Sequence, residues 1–139
     1  MKFTRKATAK WTGSGKDGKG TVTTESMVLN ESQYSFKTRF EDGIGTNPEE
    51  LIGAAHSGCF TMKLSFLLGD AGFVPGNLET EAKVTFQDGV VSNIHLDLKA
   101  QVDGIEDNKF QEVALMAKKE CPISKLLNTE ITLSAVLVK

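Results

Sequence analysis

Cysteine is scarce in this chain: 139 residues hold two, Cys59 and Cys121. That is too few for the cross-linked framework of a small secreted scaffold, and a chain of this length buries roughly 68–70 % of its unfolded surface without a disulfide or metal staple. An excess of positive charge is missing too. Sixteen Lys and Arg stand against 18 Asp and Glu, a formal net charge of −2, so there is no basic field to grip a nucleic acid. No apolar run is read as approaching the roughly 20 residues of a bilayer span, and no apolar stretch of roughly 7–15 residues follows the charged start. Residues 12–20 are glycine-rich but lack the terminal Lys-Ser/Thr of a P-loop, and neither repeats nor low-complexity segments occur. We therefore expect a single cytoplasmic domain over residues 1–139, with neither nucleic acid nor membrane as partner.

What is present is two hydrophobic periods. Phe3, Arg5, Ala7, Ala9 and Trp11 alternate with lysines and threonines, which predicts a half-buried strand, with a return strand over 20–24. Residues 33–40 alternate again, with Tyr34, Phe36, Thr38 and Phe40 opposite Gln33, Ser35, Lys37 and Arg39, which predicts a strand with Arg39 on its solvent face. The period then changes. Asn47 suits an N-cap, Pro48 the first helical position, and Glu50 the capping-box position, so a helix starts here and stops at Gly69 or Gly72. Its body is apolar nearly all round, as in a helix that is central or covered by a partner chain. Strands over 79–87 and 91–102 join through Asp88-Gly89, and the second carries Ile94, Leu96, Leu98, Ala100 and Val102 on one face. Asp107 is expected to cap a second helix, whose stripe Phe110, Val113, Ala114 and Ala117 ends at Cys121. Pro122 marks its boundary, a short turn follows at 124–127, and 131–138 alternates as a last strand.

A lone cysteine inside a buried helix usually behaves as a small hydrophobe, but Cys121 closes another apolar stripe, so both can meet in one core. Three readings of the pair are open. A structural disulfide would close a loop of about 60 residues and stabilise by roughly 4 kcal/mol. A metal site could use His56 and Cys59, three apart on one helix, with Cys121; a fourth ligand is wanting, because His95 lies on the outer face of its strand. The third reading is a two-cysteine thiol enzyme. A nucleophile must be a thiolate, and at an ordinary pKa of about 8.5 few cysteines ionise near neutrality, so a cation is required beside Cys59. Arginine keeps its charge when desolvated; of Arg5 and Arg39, Arg39 lies closer upstream of the helix, and Glu50 is available to hold its guanidinium. On one straight helix Glu50 and Cys59 stand about 13 Å apart on opposite sides, at roughly 1.5 Å and 100° per residue. Either the helix breaks near Gly53 or Gly58, or the long arginine and a partner chain bring the charges together.

The segment from Thr38-Arg39-Phe40 through Asn47-Pro48-Glu49-Glu50-Leu51, Ala54-Ala55-His56 and Cys59-Phe60, with the distant Glu120-Cys121-Pro122-Ile123-Ser124, resembles the osmotically inducible protein C branch of the OsmC/Ohr family. The likeness runs over nearly the whole chain, with a shorter excursion at Asp88-Gly89 than some relatives carry. It implies an α+β fold in which curved antiparallel β-sheets wrap two central helices in an intertwined homodimer, with active sites at the subunit interface. It implies a thiol-dependent peroxidase, using neither metal nor flavin cofactor, that reduces organic hydroperoxides and, less efficiently, hydrogen peroxide. Carried over by position, Cys59 would be peroxidatic and Cys121 resolving, Arg39 and Glu50 would activate the thiolate, and a dithiol, such as that of a lipoylated protein, would restore both cysteines. Phe36, Phe40, Phe60, Met62 and Phe66 are candidate apolar walls for the substrate. Two other classes compete: a redox sensor using the same cysteines without turnover, and a small-molecule binding protein with inert buried thiols.

Overall fold

A computed structural model describes residues 1–139, which separate into two compact units, 1–51 and 52–139. In the first, β1 (Ala7–Thr12), β2 (Lys19–Thr24) and β3 (Ser32–Tyr34) form an antiparallel sheet in that order. Gly20 pairs with Trp11 on one side and Tyr34 on the other. The two rings stand 5.4 Å apart, and a Cβ on Gly20 would come within 2.5 Å of each. Only glycine lets the backbone pass between them. β1 starts at Ala7 rather than at residue 3, and its side chains are exposed, so the half-burial expected from alternation is not realised within one protomer.

The strand expected over 33–40 is overturned. β3 ends at Tyr34, and α1 (Phe36–Phe40) follows. Ser35 stops the strand because it caps the helix: its Oγ accepts from the Thr38 N–H at 3.3 Å while Thr38 Oγ1 accepts from the Ser35 N–H at 2.8 Å. Two backbone donors that alternation would send into a ladder are thus satisfied locally. Arg39 sits in the last turn of this helix rather than on a strand face.

α2 (Pro48–Asp70) begins as expected and runs through Gly53 and Gly58 without a break. Asn47 Oδ1 accepts from the Glu50 N–H at 2.8 Å, which satisfies one of the helix's first free donors. By length and composition α2 is long and apolar enough to cross a membrane, which corrects the sequence-based reading of runs. His56, Ser57 and Lys63 interrupt the run in sequence but not the helix average. Its inner face, Gly53, His56, Phe60, Leu64 and Leu68, is buried, as in the core helix of a folded domain.

The second unit is built on β4 (Pro75–Gln87), β5 (Val90–Val102) and β6 (Glu130–Leu137). β4 and β5 form the expected hairpin; Gln87 pairs with Val90, and Asp88 and Gly89 hold φ of 52° and 85°, the left-handed turn that Asp-Gly favours. β6 pairs with β5 in parallel, so this sheet is mixed rather than wholly antiparallel. The cause is the crossover formed by α3 (Asp107–Glu120) and α4 (Pro122–Leu126), which returns the chain to run in the same direction. Glu106, without a side-chain hydrogen bond, occupies the N-cap expected of Asp107, which is instead the first helical residue and accepts from Gln111 Nε2 at 3.3 Å. The anticipated faces are correct: Ile94, Leu96, Leu98 and Ala100 pack with Phe110, Ala114, Ala117, Phe60, Leu64 and Leu68 in one core. Every buried apolar side chain lies between Phe60 and Cys121.

Candidate active site

The buried stripe of α3 delivers Cys121 to the core, and α2 brings Cys59 to it half-buried. Both thiols are free, and they are hydrogen-bonded to one another, so the meeting expected from two separate stripes takes place. Pro122 opens α4 and has no N–H, which leaves Ile123 as the first donor of that turn. The Ile123 N–H points at the Cys59 sulfur.

These surroundings pull the thiol in two directions. Burial pushes the Cys59 pKa up, and the bond to Cys121 holds the proton further; the Ile123 N–H and the nearby Lys63 ammonium pull it down without overcoming them. The cation acting on Cys59 within its own unit is therefore Lys63, one turn further along α2. Sequence reasoning missed it, although a spacing of four on a helix places the two side chains on one face. Lys63 is tied to Glu120, the residue before Cys121, at 3.5 Å.

His56 is fully buried on α2, and its Nε2 lies 2.8 Å from the Ser124 hydroxyl on α4. Burial lowers its pKa. His95 is bonded to Thr132 of β6 at 2.7 Å, and no group of three His, Cys, Asp or Glu side chains is gathered in the way a metal ion requires.

A second charged locus lies in the first unit. Arg39 Nε donates to Glu49 Oε1 at 2.9 Å, and its Nη2 reaches the same oxygen at 2.9 Å. The guanidinium also stacks on Phe40, whose ring lies 4.9 Å from that of Phe36. This corrects the assignment of Glu50 as the carboxylate that holds Arg39. Glu50 accepts from Asn47 Nδ2 at 2.9 Å and from Thr46 Oγ1 at 3.1 Å, and so closes the start of α2. The signal was legible: a carboxylate engaged at the cap is less free to hold an arginine, while its neighbour at the second helical position is turned 100° away from the cap. Glu49 Oε2 is buried without a hydrogen-bond partner. Arg5, the other candidate cation, lies over the Phe3 ring at the exposed N-terminus.

Residues 41–135 match the family model described as OsmC-like protein. The chain belongs to that family. It is 47% identical over 137 residues to peroxiredoxin OsmC of Escherichia coli, covering 96% of each chain. An organic hydroperoxide resistance protein-like 2 of Staphylococcus epidermidis is 27% identical over 88 residues, 61% of this chain and 62% of the relative. Among solved structures, the organic hydroperoxide resistance protein OhrB of Bacillus subtilis superposes with a TM-score of 0.74 at 26% identity, over 96% of this chain and 98% of that one. An OsmC-like protein from Mycoplasma pneumoniae reaches 0.77 at 14% identity over both whole chains, which establishes the shared fold. This OsmC-family chain is a thiol peroxidase. Of the apolar walls expected for its substrate, Phe60 is wholly buried in the core and cannot line a pocket, whereas Phe40, Met62 and Phe66 are exposed.

Proposed function

We propose that the enzyme reduces organic hydroperoxides, and hydrogen peroxide less efficiently, through Cys59, with Cys121 as resolving cysteine. The observation that carries this reading is the contact between the two thiols, with the Ile123 N–H on the Cys59 sulfur. The Cys59 thiolate attacks the terminal peroxide oxygen; the O–O bond breaks, an alcohol leaves after protonation, and a sulfenic acid remains. Cys121 condenses with it to a disulfide and water, and a dithiol, such as that of a lipoylated protein, exchanges both sulfurs back to thiols.

The single chain supplies too little to ionise Cys59, and the reading is completed by a homodimer in which the whole chain acts as one OsmC-like domain. The outer stripe of α2, with Ala54, Ala55, Gly58, Met62 and Phe66, is exposed in one protomer although nearly all apolar. The first unit buries no apolar side chain, while Phe3, Val28 and Ile44 are exposed, and a small sheet needs a packed face to be stable. A second copy would cover both. We assign the Arg39–Glu49 pair to the Cys59 thiolate across that interface, since an unbroken α2 leaves the partner chain as the other route. The cytoplasm, where free thiols persist, is the compartment that suits this chemistry.

Steady-state consumption of cumene hydroperoxide with dihydrolipoamide tests the reading. Multiple turnovers are expected, lost in Cys59→Ser, while Cys121→Ser reduces one equivalent and stops at the sulfenic acid. Stoichiometric oxidation with every dithiol tried would make the protein a sensor instead, and an unreactive Cys59 would make it a binding protein.

A further inference from the structure

Three contacts join α2 to the segment 120–124 in register. His56 meets Ser124, Cys59 meets Cys121 and the Ile123 N–H, and Lys63 meets Glu120. The cysteines lie between two polar ties, and the ties are unequal. Lys63 and Glu120 have side chains 33% and 45% exposed, and a screened surface pair of that kind contributes little. His56 is fully buried, its Nδ1 has no partner, and Ser124 is 9% exposed. An apolar residue at position 56 would fill the core without leaving a ring nitrogen orphaned, which itself costs free energy. What the imidazole supplies in return is one directional bond to the turn that carries the second thiol.

We propose that His56 is a positioning residue for disulfide formation: through Ser124 it pins the 121–124 turn so that the Cys121 sulfur stays on Cys59. The proposal rests on the peroxidase reading and deepens it. In the step concerned the S–O bond of the Cys59 sulfenic acid breaks and an S–S bond forms. The Cys121 sulfur is oxidised, the sulfenic sulfur is reduced, and the thiol proton leaves with the hydroxide as water. The first step, attack on peroxide, does not use the Cys121 sulfur and feels the tie only through the Ile123 N–H, which sits on the same turn. The pinning acts on the partition between disulfide and further oxidation to sulfinic acid.

The test mixes reduced full-length protein with one equivalent of cumene hydroperoxide and follows sulfenic acid by dimedone trapping and disulfide by mass. In Ser124→Ala, sulfenic acid formation is expected to slow far less than disulfide formation, which falls about tenfold, the loss of one positioning bond. Under excess peroxide, sulfinic acid accumulates. Ser124→Thr, which keeps the hydroxyl, restores resolution. His56→Leu, which fills the volume without a hydrogen bond, provides an independent arm with the same expected slowing, and His56→Gln, whose amide can reach Ser124, recovers it in part. Disulfide formation at the wild-type rate in a folded Ser124→Ala or His56→Leu protein overturns the proposal. A wild type that forms neither sulfenic acid nor disulfide defeats the peroxidase reading instead.

Discussion

The cysteine locus and the arginine locus differ in what each supplies. Cys59 and Cys121 sit at the edge of a well-packed core, with their contact already made, but burial holds Cys59 in its thiol form. Arg39 and Glu49 form a charged pair, which the proposed reading assigns to that thiol, in a unit without a buried apolar side chain. Core packing can align two sulfurs, because it fixes side chains to within a fraction of an ångström. It cannot also ionise them, because low polarity favours the neutral thiol. On the proposed reading, separating alignment from activation lets each environment suit its task, and assembly would be the point at which reactivity is gained.

The largest test of that contrast is to keep the protein monomeric. Phe66→Glu places a charge on the exposed apolar stripe of α2; sedimentation should report a monomer, and peroxide turnover should fall to background although both thiols remain titratable. A fully active monomer would break the comparison. Next come the charges themselves. Arg39→Ala and Glu49→Gln should each slow the reaction of Cys59 with peroxide by about a hundredfold, the usual cost of removing one preorganised electrostatic partner, and should raise the pH at which the thiolate forms. Glu50→Ala sharpens the contrast between neighbours: it should weaken the start of α2 by about 1 kcal/mol in urea unfolding, with activity changed far less than in Glu49→Gln. The smallest effect is on stability against pH. The folded-state pKa of His56 is lowered from 6.5 by burial, so the unfolded chain takes up the proton first. Stability is full above that value and is lost as pH falls below it. Melting temperatures at pH 7.5 and 5.5 should show a loss that His56→Gln reduces.

Much of the second unit was legible along the chain. The hairpin at Asp88-Gly89 and the faces of β5 and α3 follow from turn chemistry and periodicity, and those two patterns also carried Cys121 inward. The first unit was harder to read. Alternation over 33–40 suited a strand as well as a helix face did, and the reciprocal bonds of Ser35 and Thr38, a cap that uses threonine at its third position, decided the matter. The parallel pairing of β6 was also hidden, because strand direction depends on the path of the crossover and not on the strand's own residues.

The sequence by itself determined the helix that presents Cys59, the stripe that ends at Cys121, and the need for a cation near a nucleophilic thiol, because each follows from local hydrogen bonding, periodicity or intrinsic acidity. The tertiary structure alone decided which carboxylate holds Arg39, that Lys63 is the charge near Cys59, and that His56 is tied to Ser124 68 residues away. Those choices are made by donors and acceptors competing across a shared surface, where a shift of one position on a helix turns a side chain by 100° and changes its partner.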